Sequence, residues 1–204
     1  MLELFGSALV TFLVVIDPPG CVPISASLTR GADAAHRRSM AIRSAIIGGA
    51  ILLFFALLGK PMLQALGISL ASFRIAGGIM LFLIALDMVF ERRTQRREDR
   101  AQSVEGVDDI SVFPMAIPMI AGPGSIATAM LMVSRADGLA QIGVVLGAMA
   151  LVVLVTMVSL LASGPLMRLL GERIEAMITR VLGVILAALA AQFVVDGIRE
   201  SFGA

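Results

Sequence analysis

Apolar residues form six long runs along the chain, and short polar stretches separate them. A helix needs about 20 apolar residues to cross a hydrocarbon core of about 30 Å. The pattern therefore predicts an all-α membrane protein with six transmembrane segments. The runs lie near residues 2–29, 41–59, 70–90, 111–134, 139–163 and 177–198. Proline and glycine interrupt the first and fourth runs, so segments 1 and 4 are predicted to be discontinuous.

Composition agrees with a membrane protein, since the 204 residues are 58% hydrophobic and only 15% charged. The basic residues form no extended tract, so we expect no nucleic-acid partner. A single Cys21 and a single His36 leave no zinc-type ligand spacing, and a phosphate-binding glycine loop is also missing. We therefore expect no metal and no resident cofactor. Any energy source is then an ion gradient, with a proton or a sodium ion as the coupling ion, the gradient of the solute, or an unseen partner.

Positive charges predict the orientation. Assigning the polar stretches alternately to two sides places twelve Lys and Arg residues on one side and four on the other. The positive-inside rule makes the first side cytoplasmic. We expect a multi-pass protein of the bacterial inner (plasma) membrane, with a retained N-terminal segment and both termini on the periplasmic side.

The two halves of the chain share landmarks at one constant spacing of 104 residues: Pro19-Gly20 with Pro123-Gly124, Pro61 with Pro165, and Leu66-Gly67 with Leu170-Gly171. Three segments per copy is an odd number, so the second copy must enter the membrane upside down. The predicted organisation is a first three-helix repeat (1–90), a cytoplasmic linker (91–110) and a second, inverted three-helix repeat (111–204). Inverted repeats are common in secondary transporters, although close helix packing without transport also uses glycine and proline.

The interruptions are predicted to lie deep in the membrane. Asp17-Pro18-Pro19-Gly20 breaks segment 1, and Ala121-Gly122-Pro123-Gly124 breaks segment 4. Irregular backbone at that depth must be buried by protein or line a wet cavity, so we expect a cavity between the breaks.

Half-helices beginning at Cys21 and Ser125 would direct N–H groups and positive dipole ends inward, which suits a carboxylate. The carbonyls that precede each break, together with Asp17, would suit an ammonium group or a small cation. Two such poles describe a receptor for a zwitterion.

Individual side chains have alternative explanations. Asp17 is the only carboxylate at a break, and it either serves as an ammonium ligand, proton carrier or cation ligand, or it caps the second half-helix. Ser125 and Thr128 lie one helical turn apart and either contact a solute or serve as a cap and an interhelical hydrogen bond. Arg74 and Arg180 either form gating pairs with Asp87 and Asp196 or extend to the membrane interface.

The two interrupted stretches resemble known signatures. Residues 12–24, FLVVIDPPGCVPI, resemble the D-P-x-G-N-x-P-I signature of the MarC family of integral membrane proteins. Residues 114–126, PMAIPMIAGPGSI, resemble that family's P-x-A-I-P-x-x-A-G-P-G signature. The resemblance covers essentially the whole chain. It implies two inverted three-helix repeats and small neutral amino acids, such as glycine or alanine, as substrates. The chain departs from the signature at Cys21, where the family usually has Asn, which can both donate and accept a hydrogen bond.

The sequence thus predicts a secondary transporter or exporter of small neutral amino acids that binds its solute between the broken helices. The partners are a small-molecule solute and the lipid bilayer, and a homo-oligomer is left open. The alternative is an inorganic cation transporter that uses Asp17 and backbone carbonyls. We expect no enzyme, because the breaks hold no nucleophile with a base. The predicted substrate-binding residues are Asp17, Pro18, Gly20, Cys21, Gly122, Gly124, Ser125 and Thr128.

Overall fold

The structure is a computed structural model that describes residues 1–29, 32–92 and 109–203. All regular elements in these ranges are helices. They are α1 Leu2–Ile16, α2 Pro18–Leu28, α3 Ala34–Ala65, α4 Leu70–Val89, α5 Ser111–Ile120, α6 Pro123–Ser134, α7 Leu139–Leu161 and α8 Ser163–Phe202. Most of the predicted linker, including Arg93 to Arg100, lies outside the described residues.

The described helices account for the predicted spans. Five stretches are long and apolar enough to cross a membrane, with α1 and α2 together forming the first. A sixth arises if α5 and α6, which are bent by 53° at their junction, count as one span.

The predicted polar connections are shorter in the structure, because helices continue past the apolar runs. Helix α3 starts at Ala34, where the Asp33 carboxylate accepts the His36 amide at 2.6 Å. Helix α8 extends back to Ser163 and is interrupted only at Gly171, with φ 68° and ψ 163°. Hydropathy marks the part of a helix that lipid surrounds, whereas backbone hydrogen bonds extend the helix further.

Local chemistry explains the two interruptions. Asp17 has a left-handed conformation, φ 59° and ψ 66°, and prolines occupy the first two positions of α2. In α5 the residues before Pro114 and Pro118, which are Phe113 and Ile117, are extended, as residues before proline usually are. The bonds from Met115 N to Ile110 O and from Ala121 N to Ala116 O follow a wider, π-type spacing.

Among the described helices, α4 and α8 form the most extensive contact, and they run antiparallel, because Gly78 faces Ala190 whereas Gly183 faces Ala85. A Cβ placed on Gly78 would lie 2.8 Å from the Ala190 carbonyl, and one on Gly183 would lie 3.2 Å from the Ala85 carbonyl. Small residues thus let the two backbones approach closely, as in many membrane helix pairs.

Ion pairs close both ends of the α4–α8 contact. At one end Arg74 pairs with Glu200 at 2.7 Å, and at the other Arg180 pairs with Glu91. The suggested pairing of these arginines with Asp87 and Asp196 is therefore wrong, because the acidic groups one turn further along reach them instead. Asp196 pairs with Arg135 at 2.6 Å. Within each of these three pairs, the alternating assignment of the polar stretches places both residues on the same side of the membrane.

Candidate functional site

Asp17 is completely buried between α1 and α2. Its carboxylate accepts the Gly20 amide at Oδ1, 3.2 Å away. The capping role that the sequence allowed is therefore present. The same Oδ1 lies 3.3 Å from the Thr179 hydroxyl of α8, so the carboxylate also takes part in tertiary structure.

The start of α2 differs from the sequence-based expectation, because the helix begins at Pro18 rather than Cys21. Pro18 and Pro19 have no N–H group, the Gly20 amide bonds Asp17 Oδ1, and the Cys21 amide bonds the Asp17 carbonyl. The Cys21 thiol lies 3.7 Å from the Ile16 carbonyl, the last one of α1. The first break therefore offers few free donors, and its dominant group is a carboxylate.

The second break is uncapped. Gly122 precedes α6 and has no side chain, and no side-chain cap closes the helix. Within the described chain, the Gly124 and Ser125 amides of the first turn therefore meet no acceptor. Helix α6 begins at Pro123 rather than at Ser125, and its positive end lies at this break.

Thr128, one turn into α6, has a completely buried hydroxyl with no hydrogen-bond partner in the described part of the chain. Other helical hydroxyls donate to the carbonyl four residues earlier, including Thr11, Thr29, Ser44 and Thr156, at 2.7 to 2.8 Å. A buried hydroxyl without a partner costs about 1–3 kcal/mol. Thr128 therefore carries an unused donor and acceptor.

The two breaks lie near each other. A Cβ on Gly124 would meet Ile84 at 2.6 Å, Leu81 at 3.2 Å and Val15 at 3.4 Å, and Val15 precedes Asp17 by two residues. Glycine at 124 is what allows α6 to approach α4 and α1 this closely.

The predicted site residues at the breaks are buried in this conformation, whereas Pro19 is half-buried and Pro123 is exposed. Asp17, Cys21 and Thr128 are completely buried, and Ser125 is 2% exposed. Pro18, Gly20, Gly122 and Gly124 are buried as well. The structure therefore shows an occluded arrangement of the predicted site residues rather than an open chamber between them.

A cavity of about 70 Å³ lies beside the first break, between α2, α7 and α8. Pro19 and Val22 line it from α2, Ser159 from α7, and Leu166, Met167, Glu175 and Ile178 from α8. It has room for about two water molecules. Among the described residues of its wall, Glu175 alone is charged, and it is 4% exposed.

The whole chain resembles a described family, because residues 2–202 match the model of the MarC family integral membrane proteins. The chain belongs to the MarC family.

Several MarC relatives align over nearly full length. A UPF0056 membrane protein of Archaeoglobus fulgidus is 37% identical over 98% of this chain and 94% of its own length. The UPF0056 inner membrane protein YhgN of Escherichia coli K12 is 33% identical over 95% of each chain. No solved structure matches the chain at a significant level. The protein is thus a multi-pass integral membrane protein of this family.

The sequence analysis did not identify two buried polar residues beside the first break, Glu175 and Thr179. They lie on the same face of α8, four residues apart, with the Thr179 hydroxyl 3.1 Å from Glu175 Oε1. Hydropathy predicts a polar connection over 168–178, and this prediction gives no reason to place either residue near Asp17. The usable signal is their i, i+4 spacing on a helix extended backwards from the last apolar run.

Two ionisable groups at the ends of the bundle, Asp109 and Arg135, have pKa values below their ordinary values. Hydrogen bonds from the Ser111 hydroxyl and amide hold the pKa of Asp109 below its ordinary value, with Arg43 adding to the effect. Burial lowers the pKa of Arg135, and the nearby charge of Arg74 lowers it further, whereas Asp196 opposes both. Arg135 also lies over the Phe193 ring, 4.7 Å from its centre. These groups belong to the ends of the bundle and not to the breaks.

Proposed function

We propose that this MarC protein is a secondary transporter or exporter of small neutral amino acids of the glycine and alanine class. The solute binds between the two broken spans, near the membrane midplane. The observation that carries the proposal is the uncapped start of α6 with the buried, unpartnered Thr128 hydroxyl one turn along it. A buried donor set of this kind is unfavourable unless a ligand completes it.

The binding mode follows from the chemistry of each break. A carboxylate bound at the start of α6 would accept hydrogen bonds from the Gly124 and Ser125 amides and from Thr128, and the helix dipole would add to its stability. The ammonium group would face the Asp17 carboxylate at the first break. Little room remains beside Gly124 for a large side chain of the solute, because apolar side chains pack around it: Val15, Leu81 and Ile84.

The architecture proposed for this mechanism is two inverted three-helix repeats. Gly67 and Gly171, which are separated by the repeat spacing, share φ 68°. The two end pairs are also reciprocal, because each joins an arginine of one half to a glutamate of the other: Arg74 to Glu200, and Arg180 to Glu91. Reciprocal contacts of this kind are what a two-fold axis in the membrane plane produces.

The occluded breaks fit one state of an alternating-access cycle. A proton or sodium ion is the proposed coupling ion, the basic side is proposed to be cytoplasmic, and both termini periplasmic. The protein is proposed not to be an enzyme and to need no resident cofactor.

The test is transport in proteoliposomes with labelled glycine and alanine under imposed proton, sodium and solute gradients. We expect saturable uptake of at least one solute, and an increase in melting temperature on its addition. The matched variant Thr128→Val should weaken the solute effect, whereas Thr156→Val should not. Failure of both solutes to move or to stabilise the protein would refute the substrate class.

One observation favours inorganic cation transport as a second candidate. Asp17 and Glu175 approach the same hydroxyl, and two carboxylates this close attract a cation. Calorimetric binding of sodium or a divalent cation, without amino acid and abolished in Asp17→Asn, would favour this alternative.

A further inference from the structure

We infer that Glu175, Thr179 and Asp17 form a proton relay that connects the cavity between α2, α7 and α8 to the first break. The inference deepens the proposed function, because it names the coupling ion and its route. It rests on that function for its role in transport, although the relay itself can be tested without any solute.

The Thr179 hydroxyl contacts two carboxylates but has only one hydrogen to donate. This hydroxyl lies 3.1 Å from Glu175 Oε1 and 3.3 Å from Asp17 Oδ1. Two ionised carboxylates can only accept, so one of the two contacts would then join oxygen lone pairs. Both contacts become hydrogen bonds when one carboxyl group carries a proton, because that group donates to Oγ1 while the hydroxyl donates to the other carboxylate. The geometry therefore matches three oxygens that share two protons.

The relay has an outer and an inner end. Glu175 lines the cavity, which is large enough for about two water molecules. Asp17 is completely buried at the break, and its Oδ1 accepts the Gly20 amide, which is the first N–H group of α2. Thr179 connects the two carboxylates from one turn further along α8. Protons that reach the cavity thus have a hydrogen-bonded path to the residue proposed to face the ammonium group.

Among the side chains that the structure describes, few other ionisable groups lie on the helices around the relay. Helix α7 contains no Asp, Glu, His, Lys or Arg, and α6 contains none either. Helix α2 contributes Cys21, whose thiol lies by the Ile16 carbonyl, and α1 contributes only Glu3 near its exposed start. On α8, Arg173 and Arg180 have exposed positions, and Arg180 pairs with Glu91.

The transfer step is balanced. A hydronium ion that enters the cavity gives a proton to Glu175 and leaves as water, and the Glu175 O–H then donates to Thr179 Oγ1. The hydroxyl passes its own hydrogen to Asp17 Oδ1 and receives the Glu175 proton in exchange. The net change is one proton moved from Glu175 to Asp17, and Thr179 is regenerated.

The first experiment is infrared difference spectroscopy on the purified, full-length protein without solute. We expect a carboxylic-acid C=O band that disappears in Glu175→Gln, disappears or moves in Asp17→Asn, and moves in Thr179→Val. Thr179→Ser, which keeps a hydroxyl, should leave the band in place. A spectrum in which none of these variants changes a carboxylic-acid band would overturn the relay, whether or not the protein transports amino acids.

The second experiment measures proton influx with a pH-sensitive dye in proteoliposomes during glycine uptake. Thr179→Val should lower proton-coupled uptake at least about tenfold and leave exchange of labelled for unlabelled glycine within about twofold, because exchange needs no net proton movement. Thr179→Ser should resemble the wild type. Should Thr179→Val not fold, Glu175→Gln carries the same expectation. Equal losses of exchange and of coupled uptake would overturn the relay, whereas no glycine movement by the wild type would refute the proposed function alone.

Discussion

Replacing Thr128 with valine removes one hydroxyl and keeps the shape of the side chain. Because Thr128 Oγ1 is buried without a partner in the described chain, the wild type without solute carries a desolvation cost of about 1–3 kcal/mol. We expect Thr128→Val to regain about 1–2 kcal/mol of this in the free energy of unfolding. For a chain of this length, that corresponds to an increase of about 2–8 °C in melting temperature.

Binding should change in the opposite direction. A hydrogen bond to a carboxylate contributes about 1.5–3 kcal/mol, so glycine affinity should fall roughly 10- to 150-fold. The assay is thermal unfolding in detergent, monitored with and without a series of glycine concentrations. A more stable protein that responds less to glycine is the expected combination.

Thr156 supplies the matched control. It is also completely buried, but its hydroxyl donates to the Val152 carbonyl at 2.8 Å. Thr156→Val loses this bond, so its melting temperature should stay the same or fall, and its response to glycine should not change. If Thr128→Val destabilises the protein as much as Thr156→Val does, the Thr128 hydroxyl is satisfied and the assignment of the carboxylate site is wrong.

Three further predictions follow from other contacts. Asp17→Asn keeps an Oδ1 acceptor for the Gly20 amide, so folding should persist within about 1 kcal/mol while gradient-driven transport is lost; loss of folded protein would indicate a cap alone. Gly78→Ala places a Cβ 2.8 Å from the Ala190 carbonyl oxygen, which is backbone and cannot easily move, and should cost about 1–3 kcal/mol, whereas Gly143→Ala, with nothing within 4 Å, should be neutral or stabilising by up to about 1 kcal/mol in the same thermal assay. The pKa of Asp109 is lowered in the folded state, so its contribution to stability is fully present above about pH 4 and is lost as the pH falls through the lowered folded value. Between about pH 5 and 3, the melting temperature of Asp109→Asn should therefore fall less than that of the wild type.

Much of the fold could be predicted from the sequence, because membrane spans depend on local composition. Hydrophobic runs of sufficient length identify spans with little knowledge of their neighbours. The breaks were equally local, since Pro18, Pro19 and Pro123 lack the amide that a continuous helix requires. The helix ends were placed less well, because water satisfies backbone groups beyond the apolar run and lets α3 and α8 continue.

The candidate site was only partly predictable. The sequence brought attention to Asp17 and Thr128 through the breaks that they adjoin. It did not indicate that the Cys21 thiol would donate a hydrogen bond to the Ile16 carbonyl, nor that the first break would lack free amides. Those facts depend on where a helix starts to within one turn, which proline spacing does not fix.

The sequence by itself determined that this chain lies in a membrane and which family it belongs to. Only the tertiary structure brought Thr179 and Glu175 of α8 to Asp17, which lies 162 residues from Thr179. It also decided that Arg74 meets Glu200 and Arg180 meets Glu91. Burial of an apolar run is a local property of the chain, whereas the partner of a buried polar group is set by how distant helices pack.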